Sequence, residues 1–238
     1  MMGLLWSLLF VDPLIVVSTV AHATGGFAVS LFDPKGRVQV RLARSWARSL
    51  LRITGARISV EGLEHIRADG SYIFVANHLS YMDTPAVLST LPVQFRFLAK
   101  SGLFQIPFLG WHLRSAGHIP VPLEDPRASV RTLAQAGEVI RKRGISLLVF
   151  PEGGRSMDGE LQDFKDGAAY MALKAQVPLV PIALIGTREL LPMGSATFRS
   201  GPVRIRIGAP IPTEGLGPPA RKELTRTVRA RIASMLGA

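Results

Sequence analysis

Seven short apolar runs, separated by helical patterns, constrain the fold of this chain more than any other feature. They are Ile58 to Val60, Ile73 to Ala76, Phe95 to Ala99, Ile119 to Val121, Leu147 to Phe150, Leu179 to Leu184 and Val203 to Ile207. Between them, Thr84 to Ser89, Pro107 to Ser115, Pro126 to Arg143 and Gly167 to Gln176 read as helices. Near the carboxyl end, Pro218 to Leu236 places Leu224, Val228, Ile232 and Leu236 four apart, the pattern of an amphipathic helix packed on a core. Strands alternating with helices predict an α/β layer protein with a mixed, largely parallel sheet of about seven strands flanked by helices. At 238 residues and 47% hydrophobic content, one substantial core is the economical count. The expected division is an N-terminal membrane-inserted segment with a basic amphipathic helix at 1–54 and one domain at 55–238. The Pro- and Gly-rich stretch from Gly208 to Pro219 reads as a surface connection inside that domain.

Residues Gly3 to Phe32 are almost continuously apolar, interrupted by Asp12-Pro13, His22 and Gly25-Gly26. Crossing the hydrocarbon core takes roughly 20 residues, and Leu14 to Leu31 comes close. The Asp-Pro pair makes a bent or two-part insertion an alternative to one straight span. A cleaved signal peptide with Ala21-His22-Ala23 at its site, and a helix buried in a soluble core, are competing readings. The uncharged amino-terminal flank argues against the signal peptide.

From Lys35 to Arg52 there are six basic residues and no acidic one. Arg37, Arg41, Arg44, Arg48 and Arg52 recur at helical intervals, with Val38, Leu42, Trp46 and Ile53 on another side. That is the pattern of a helix lying in a lipid headgroup layer, and equally of a packed helix with a solvated arginine face. Basic residues flanking an inserted segment favour the cytoplasmic side. The formal charge of +11 calls for an acidic partner: an anionic membrane, a phosphorylated ligand or nucleic acid. With no cysteine, disulfides and a thiol nucleophile are excluded, which suits a reducing compartment.

Strand ends in α/β domains are where ligands and reactive groups collect. The run Tyr72 to Ala76 leads straight into Asn77-His78-Leu79-Ser80-Tyr81-Met82-Asp83. A histidine needs an acceptor on one ring nitrogen to leave the other free as a base, and an aspartate supplies it. Five residues is longer than one helical step, so the pair meets only if His78 sits on the loop and Asp83 at the start of the next helix. The bland alternative is a turn histidine followed by an N-capping aspartate. After the strand at Ser146 to Val149 comes Phe150-Pro151-Glu152-Gly153-Gly154-Arg155-Ser156. Arg155 can fork onto phosphate oxygens, with backbone N–H groups around the glycines completing an anion nest. A glycine-rich turn with an exposed arginine is the plainer reading. Lys100 and Lys165 are further phosphate candidates, and both also suit a solvated surface.

The first box, the Phe150–Ser156 box and Val177-Pro178-Leu179-Val180-Pro181 occur in this order, with Phe164-Lys165-Asp166-Gly167 between the last two. From about Ala56 to Pro210 the chain thereby resembles the 1-acyl-sn-glycerol-3-phosphate (lysophosphatidate) acyltransferase family of glycerolipid acyltransferases, with its N-H-x-x-x-x-D, F-P-E-G-x-R-S and V-P-x-x-P boxes. The resemblance implies His78 as base and Asp83 as its orienter. It also implies that the box with Glu152 and Arg155 binds the glycerol phosphate, and acyl-CoA or acyl-carrier protein as donor. The expected substrate site as a whole comprises Asn77, Ser80, Lys100, Glu152, Gly153, Arg155 and Lys165. The expected partners are membrane phospholipid and lysophospholipid, with no cofactor, no metal and no nucleic acid. Ser80 lies close enough to His78 to be a nucleophile, but there is no G-x-S-x-G elbow, and direct attack by the acceptor hydroxyl is the preferred route.

One departure bears on the acceptor. Many members carry G-x-I-x-V/I-D-R, whereas Gly117-His118-Ile119-Pro120-Val121-Pro122-Leu123 has Pro and Leu where Asp and Arg would stand. Arg127, four positions on, is a candidate replacement, and another lyso-lipid, such as lyso-ornithine lipid, is the alternative acceptor. His112 and His118 read as packing or turn residues. A reading from another class is a non-catalytic basic protein that binds membrane or nucleic acid through Arg37 to Arg52.

Overall fold

A computed structural model of the chain describes residues 5–30, 32, 37–107 and 109–237. A π-helical turn, Ser7–Val11, runs into α1 (Asp12–Ser30), which α2 follows (Arg37–Ile53). Then come β1 (Ala56–Glu61), β2 (Ile73–Ala76), α3 (Asp83–Thr90), β3 (Phe95–Lys100), α4 (Leu109–Ser115), β4 (Ile119–Val121), α5 (Pro126–Arg143) and β5 (Ser146–Val149). The chain closes with α6 (Gly167–Ala175), β6 (Leu179–Ile185), α7 (Thr187–Leu190), β7 (Gly201–Ile207) and α8 (Arg221–Leu236). All seven expected strands are present, within two residues at each end. The four-residue helix α7 is absent from the sequence reading because so short a segment carries no periodicity.

Local chemistry accounts for the boundaries. Asp125 caps α5 by accepting the Ala128 N–H at 2.9 Å, Pro126 occupies the first turn, and Gly144 ends the helix in the left-handed region at φ 61°. Where the Asp12-Pro13 pair suggests a break, the helix instead continues. The wider π register over Ser7–Val11 gives the proline ring room that an α-helical turn would deny it.

The strands form one sheet in the order β1-β7-β6-β2-β5-β3-β4. Every neighbouring pair is parallel except β6 with β7. Helices cover both faces. Phe74 and Ala76 of β2 pack with α2 and α3, through Ala47, Leu51, Ala86 and Val87. Ile73 and Val75 point the other way, into Ala136 and Ile140 of α5, Met171 of α6, and Leu224, Val228 and Ile232 of α8. Burying each of the larger side chains, such as Ile73, Ile140 or Ile232, stabilises the fold by about 1.5–3 kcal/mol.

The connections from the central strands diverge. From β2 the chain passes through α3 toward β3 on one side, and from β5 it passes through α6 toward β6 on the other. The crevice between the carboxyl ends of β2 and β5 is therefore a topological switch point, the usual ligand site of such sheets.

The helical segment Ser7–Val29 is long and apolar enough, by length and composition, to cross a membrane. Leu9, Phe10, Val16, Val17 and Val20 are exposed on it. Its polar side meets α2: the Trp46 indole N–H donates to Thr19 Oγ1 at 3.0 Å, and the Ser18 and Ser49 hydroxyls lie 2.6 Å apart. Of the basic stripe, Lys35 and the side chain of Arg37 lie outside the described residues, as does Leu31. Arg41, Arg48 and Arg52 are exposed. Arg44 departs from the expected free stripe: its guanidinium donates to the carbonyls of Leu91 at 2.6 Å and Val93 at 2.8 Å.

Candidate active site

At the end of β2 the loop 77–82 wraps around one carboxylate. Asp83, the first residue of α3, is fully buried, and its Oδ2 accepts three N–H donors: His78 Nδ1 at 2.7 Å, Leu79 N at 2.7 Å and Ser80 N at 2.9 Å. This wrapping is how a five-residue spacing brings the pair together. A carboxylate against Nδ1 assigns the proton to that nitrogen and leaves the Nε2 lone pair as the base. The imidazole stacks on Phe150, with centroids 3.9 Å apart and planes 13° from parallel, and the side chain remains 16% exposed.

Asn77 and Ser80 are supports rather than substrate contacts. Asn77 is buried and exchanges two hydrogen bonds with the Leu184 backbone, at 3.0 and 2.8 Å, tying β2 to β6. Ser80 is buried too, donating to the Leu191 carbonyl at 2.8 Å and accepting the Met82 N–H at 3.1 Å. Those bonds use the side-chain groups that a substrate would need, and they remove Ser80 as a candidate nucleophile.

Glu152 lines the same open cleft as Arg155, with its carboxylate already engaged by backbone donors. Its Oε1 accepts the His78 N–H at 2.7 Å and its Oε2 the Gln162 N–H at 3.1 Å, so the carboxylate fastens the histidine loop to the loop after β5. Burial pushes its carboxyl above the usual range, and the two N–H donors partly offset that. The Ser156 N–H adds a second link by donating to the His78 carbonyl at 2.9 Å.

Within the box, Gly153 and Gly154 are exposed, Arg155 is half-buried and Ser156 is buried. Gly153 adopts φ 80°, and a Cβ there would come within 2.5 Å of the Lys165 ammonium, so these two expected site residues do meet. Arg155 lies over the Tyr81 ring, with Cζ 3.6 Å from its centroid, and among the described residues no carboxylate pairs with it. An open cleft of about 340 Å³ is bordered by Glu152, Gly154, Arg155, Ser156, Met157, Asp158 and Gln162. Among the described residues no acceptor takes the N–H groups of Gly154 and Arg155, which leaves them available to an anion.

Lys100 forms an exposed ion pair with Glu124 at 2.7 Å, a partner that a phosphate must displace for Lys100 to act in binding. Arg127 is exposed on the first turn of α5. His118 is a packing residue, as expected: its Nδ1 accepts the Phe97 N–H at 3.0 Å, and burial beside Arg96 lowers its pKa to about 3.

Tyr81, Phe150, Gln162 and Arg188 went unassigned in the sequence reading. The first two stand inside the quoted boxes but carry no titratable group active near neutrality. Arg188 holds the loop by donating to the Met157 carbonyl at 2.8 Å, a contact across distant segments that no spacing announces.

Residues 57–185 match the family described as Acyltransferase. The chain is 39% identical over 201 residues to chloroplastic 1-acyl-sn-glycerol-3-phosphate acyltransferase LPAT1 of Arabidopsis thaliana, across 83% of this chain and 54% of the relative. It is 31% identical over 193 residues to a 1-acyl-sn-glycerol-3-phosphate acyltransferase of Limnanthes douglasii, across 79% of this chain and 68% of that one. The chain thus spans little more than half of the Arabidopsis relative. Among solved structures, the 1-acyl-sn-glycerophosphate acyltransferase PlsC of Thermotoga maritima superposes with a TM-score of 0.77 at 28% identity, covering 94% of both chains.

Proposed function

Because the chain belongs to the acyltransferase family, we propose that it moves a fatty acyl group from a thioester to the free hydroxyl of lysophosphatidic acid, giving phosphatidic acid. The observation that carries this reading is the buried Asp83 holding His78 at the switch point, 2.7 Å from Nδ1, with Arg155 on the same rim. His78 Nε2 takes the proton of the acceptor hydroxyl as its oxygen attacks the thioester carbonyl. Asp83 keeps the tautomer and supports the imidazolium that forms. The tetrahedral oxyanion collapses, the C–S bond breaks, and the departing thiolate takes the proton from Nε2. The thioester already supplies the activation, so the reading calls for no cofactor. Acyl-CoA or acyl-carrier protein is the proposed donor. Arg155 and the free N–H groups of Gly154 and Arg155 are the proposed phosphate ligands, and Lys165, beside Gly153, is a further candidate.

The same reading places the protein on the cytoplasmic face of a membrane. Two contacts argue for a helix lying in one leaflet over a straight span. Near its start Ser7 Oγ accepts the Phe198 N–H at 3.1 Å, and near its end Phe27 packs on Trp111 at 4.7 Å. Both partners belong to the same globular domain, so the helix runs along that domain and offers its apolar side to lipid.

The test is thioester-dependent acylation of lysophosphatidic acid by wild-type protein beside His78→Ala, with lyso-ornithine lipid as a parallel acceptor. We expect the variant to lose at least about 10²-fold in turnover with its fold intact. Full activity in the variant would overturn the mechanism, and a preference for lyso-ornithine lipid would overturn the acceptor.

A further inference from the structure

Resting on that reading and deepening it, we propose that Tyr81 is a positioning residue for the acceptor phosphate, its ring holding the Arg155 guanidinium at the rim of the His78–Asp83 site. Tyr81 stands apart from its neighbours. Ser80 and Met82 are buried, whereas Tyr81 is 60% exposed and its one aromatic contact is to Arg155 among the described residues. An exposed ring on a loop otherwise turned inward does little for the core.

The physical effect is on an otherwise floppy cation. A free arginine side chain samples many rotamers, and fixing it costs binding free energy when the ligand arrives. At 3.6 Å from the ring centroid the guanidinium is already held. The ring attracts the charge through its quadrupole and does not consume the N–H donors that phosphate needs. Tyr81 also lies three residues after His78, on a loop pinned by the Asp83 carboxylate and by Glu152. The platform under the phosphate ligand and the proposed base therefore move as one body.

The experiment measures the KM for lysophosphatidic acid and kcat in wild type, Tyr81→Ala, Tyr81→Phe, Arg155→Ala and the Tyr81→Ala/Arg155→Ala double variant, using the detergent-solubilised full chain. Glycerol 3-phosphate binding, followed by phosphorus NMR on the same proteins, is a readout independent of turnover. We expect Tyr81→Ala to raise the acceptor KM and weaken glycerol 3-phosphate binding by about 2- to 5-fold with kcat held. Tyr81→Phe, which keeps the ring, should match wild type in both. In the double variant the loss should equal that of Arg155→Ala alone, because Tyr81 acts through Arg155. Wild-type binding by Tyr81→Ala, or fully additive losses in the double variant, would overturn the proposal. Tyr81-dependent glycerol 3-phosphate binding by a wild-type protein that acylates nothing would support the positioning role while overturning the reaction.

Discussion

Asp83 and Gly153 show how much one residue's surroundings decide. The aspartate's Oδ2 accepts three N–H groups, so the carboxylate builds the loop and orients the histidine through the same atom. Two of its donors are backbone groups of Leu79 and Ser80, and no feature of the motif's side chains announces them. Gly153 is the case where a substitution separates backbone from contact. At φ 80° a side chain is strained, and its Cβ would meet the Lys165 ammonium. Gly154, beside it, has open space around the same position. We expect Gly153→Ala to cost roughly 1–2 kcal/mol in urea unfolding and to displace Lys165. Gly154→Ala should change stability by less than about 0.5 kcal/mol. Equal effects of the two would mean that neither the left-handed backbone nor the lysine contact constrains the loop.

At the scale of elements, α2 divides its arginines between two tasks. The sequence places them on one stripe because helical spacing makes equal turns, and spacing carries no information about what each turn faces. In the fold Arg44 reaches the end of α3, where Leu91 and Val93 leave carbonyls without strand or helix partners, and it caps them. Desolvation, with Arg48 nearby, lowers the Arg44 pKa. Arg48 itself stays exposed. Arg44→Ala should therefore lower unfolding stability by about 2 kcal/mol, the order expected for carbonyls that lose a charged donor. Arg48→Ala should leave stability within about 0.5 kcal/mol and weaken binding to anionic vesicles instead. Urea midpoints and vesicle sedimentation read the two outcomes separately, and identical stability changes in the two variants would remove the capping role of Arg44.

For the molecule as a whole, acid stability should carry the mark of His118. Its ring accepts the Phe97 N–H from inside the sheet edge, and burial holds its pKa near 3, against about 6.5 when unfolded. The unfolded chain therefore binds a proton that the folded chain refuses. The stabilisation is fully present above about pH 6.5 and is lost progressively as pH falls toward 3. The slope from this one group is at most about 1.4 kcal/mol per pH unit. His118→Asn keeps an acceptor for Phe97 without a titrating ring. It should flatten the dependence of the urea midpoint on pH between 4 and 6.5, and an unchanged slope would show that other groups set the acid limb.

Strand and helix positions, the His78–Asp83 pair and the Gly-rich box after β5 were legible in the sequence. Each depends on local pattern: apolar periodicity, a strand end, a short spacing. The cations and polar side chains were not legible in the same way. Asn77, Ser80 and Glu152 have the chemistry of ligands, yet their hydrogen bonds go to the backbone of β6, to Leu191 and to Gln162. Arg44 has the chemistry of a lipid contact and caps α3, while Arg155 rests on a tyrosine from another loop. A polar group's role depends on which distant backbone or ring arrives beside it, and that is decided when the parallel sheet brings the ends of β2, β5 and β6 together. Periodicity along the chain determined the elements, and only tertiary packing decided which polar groups were consumed inside and which were left facing a substrate.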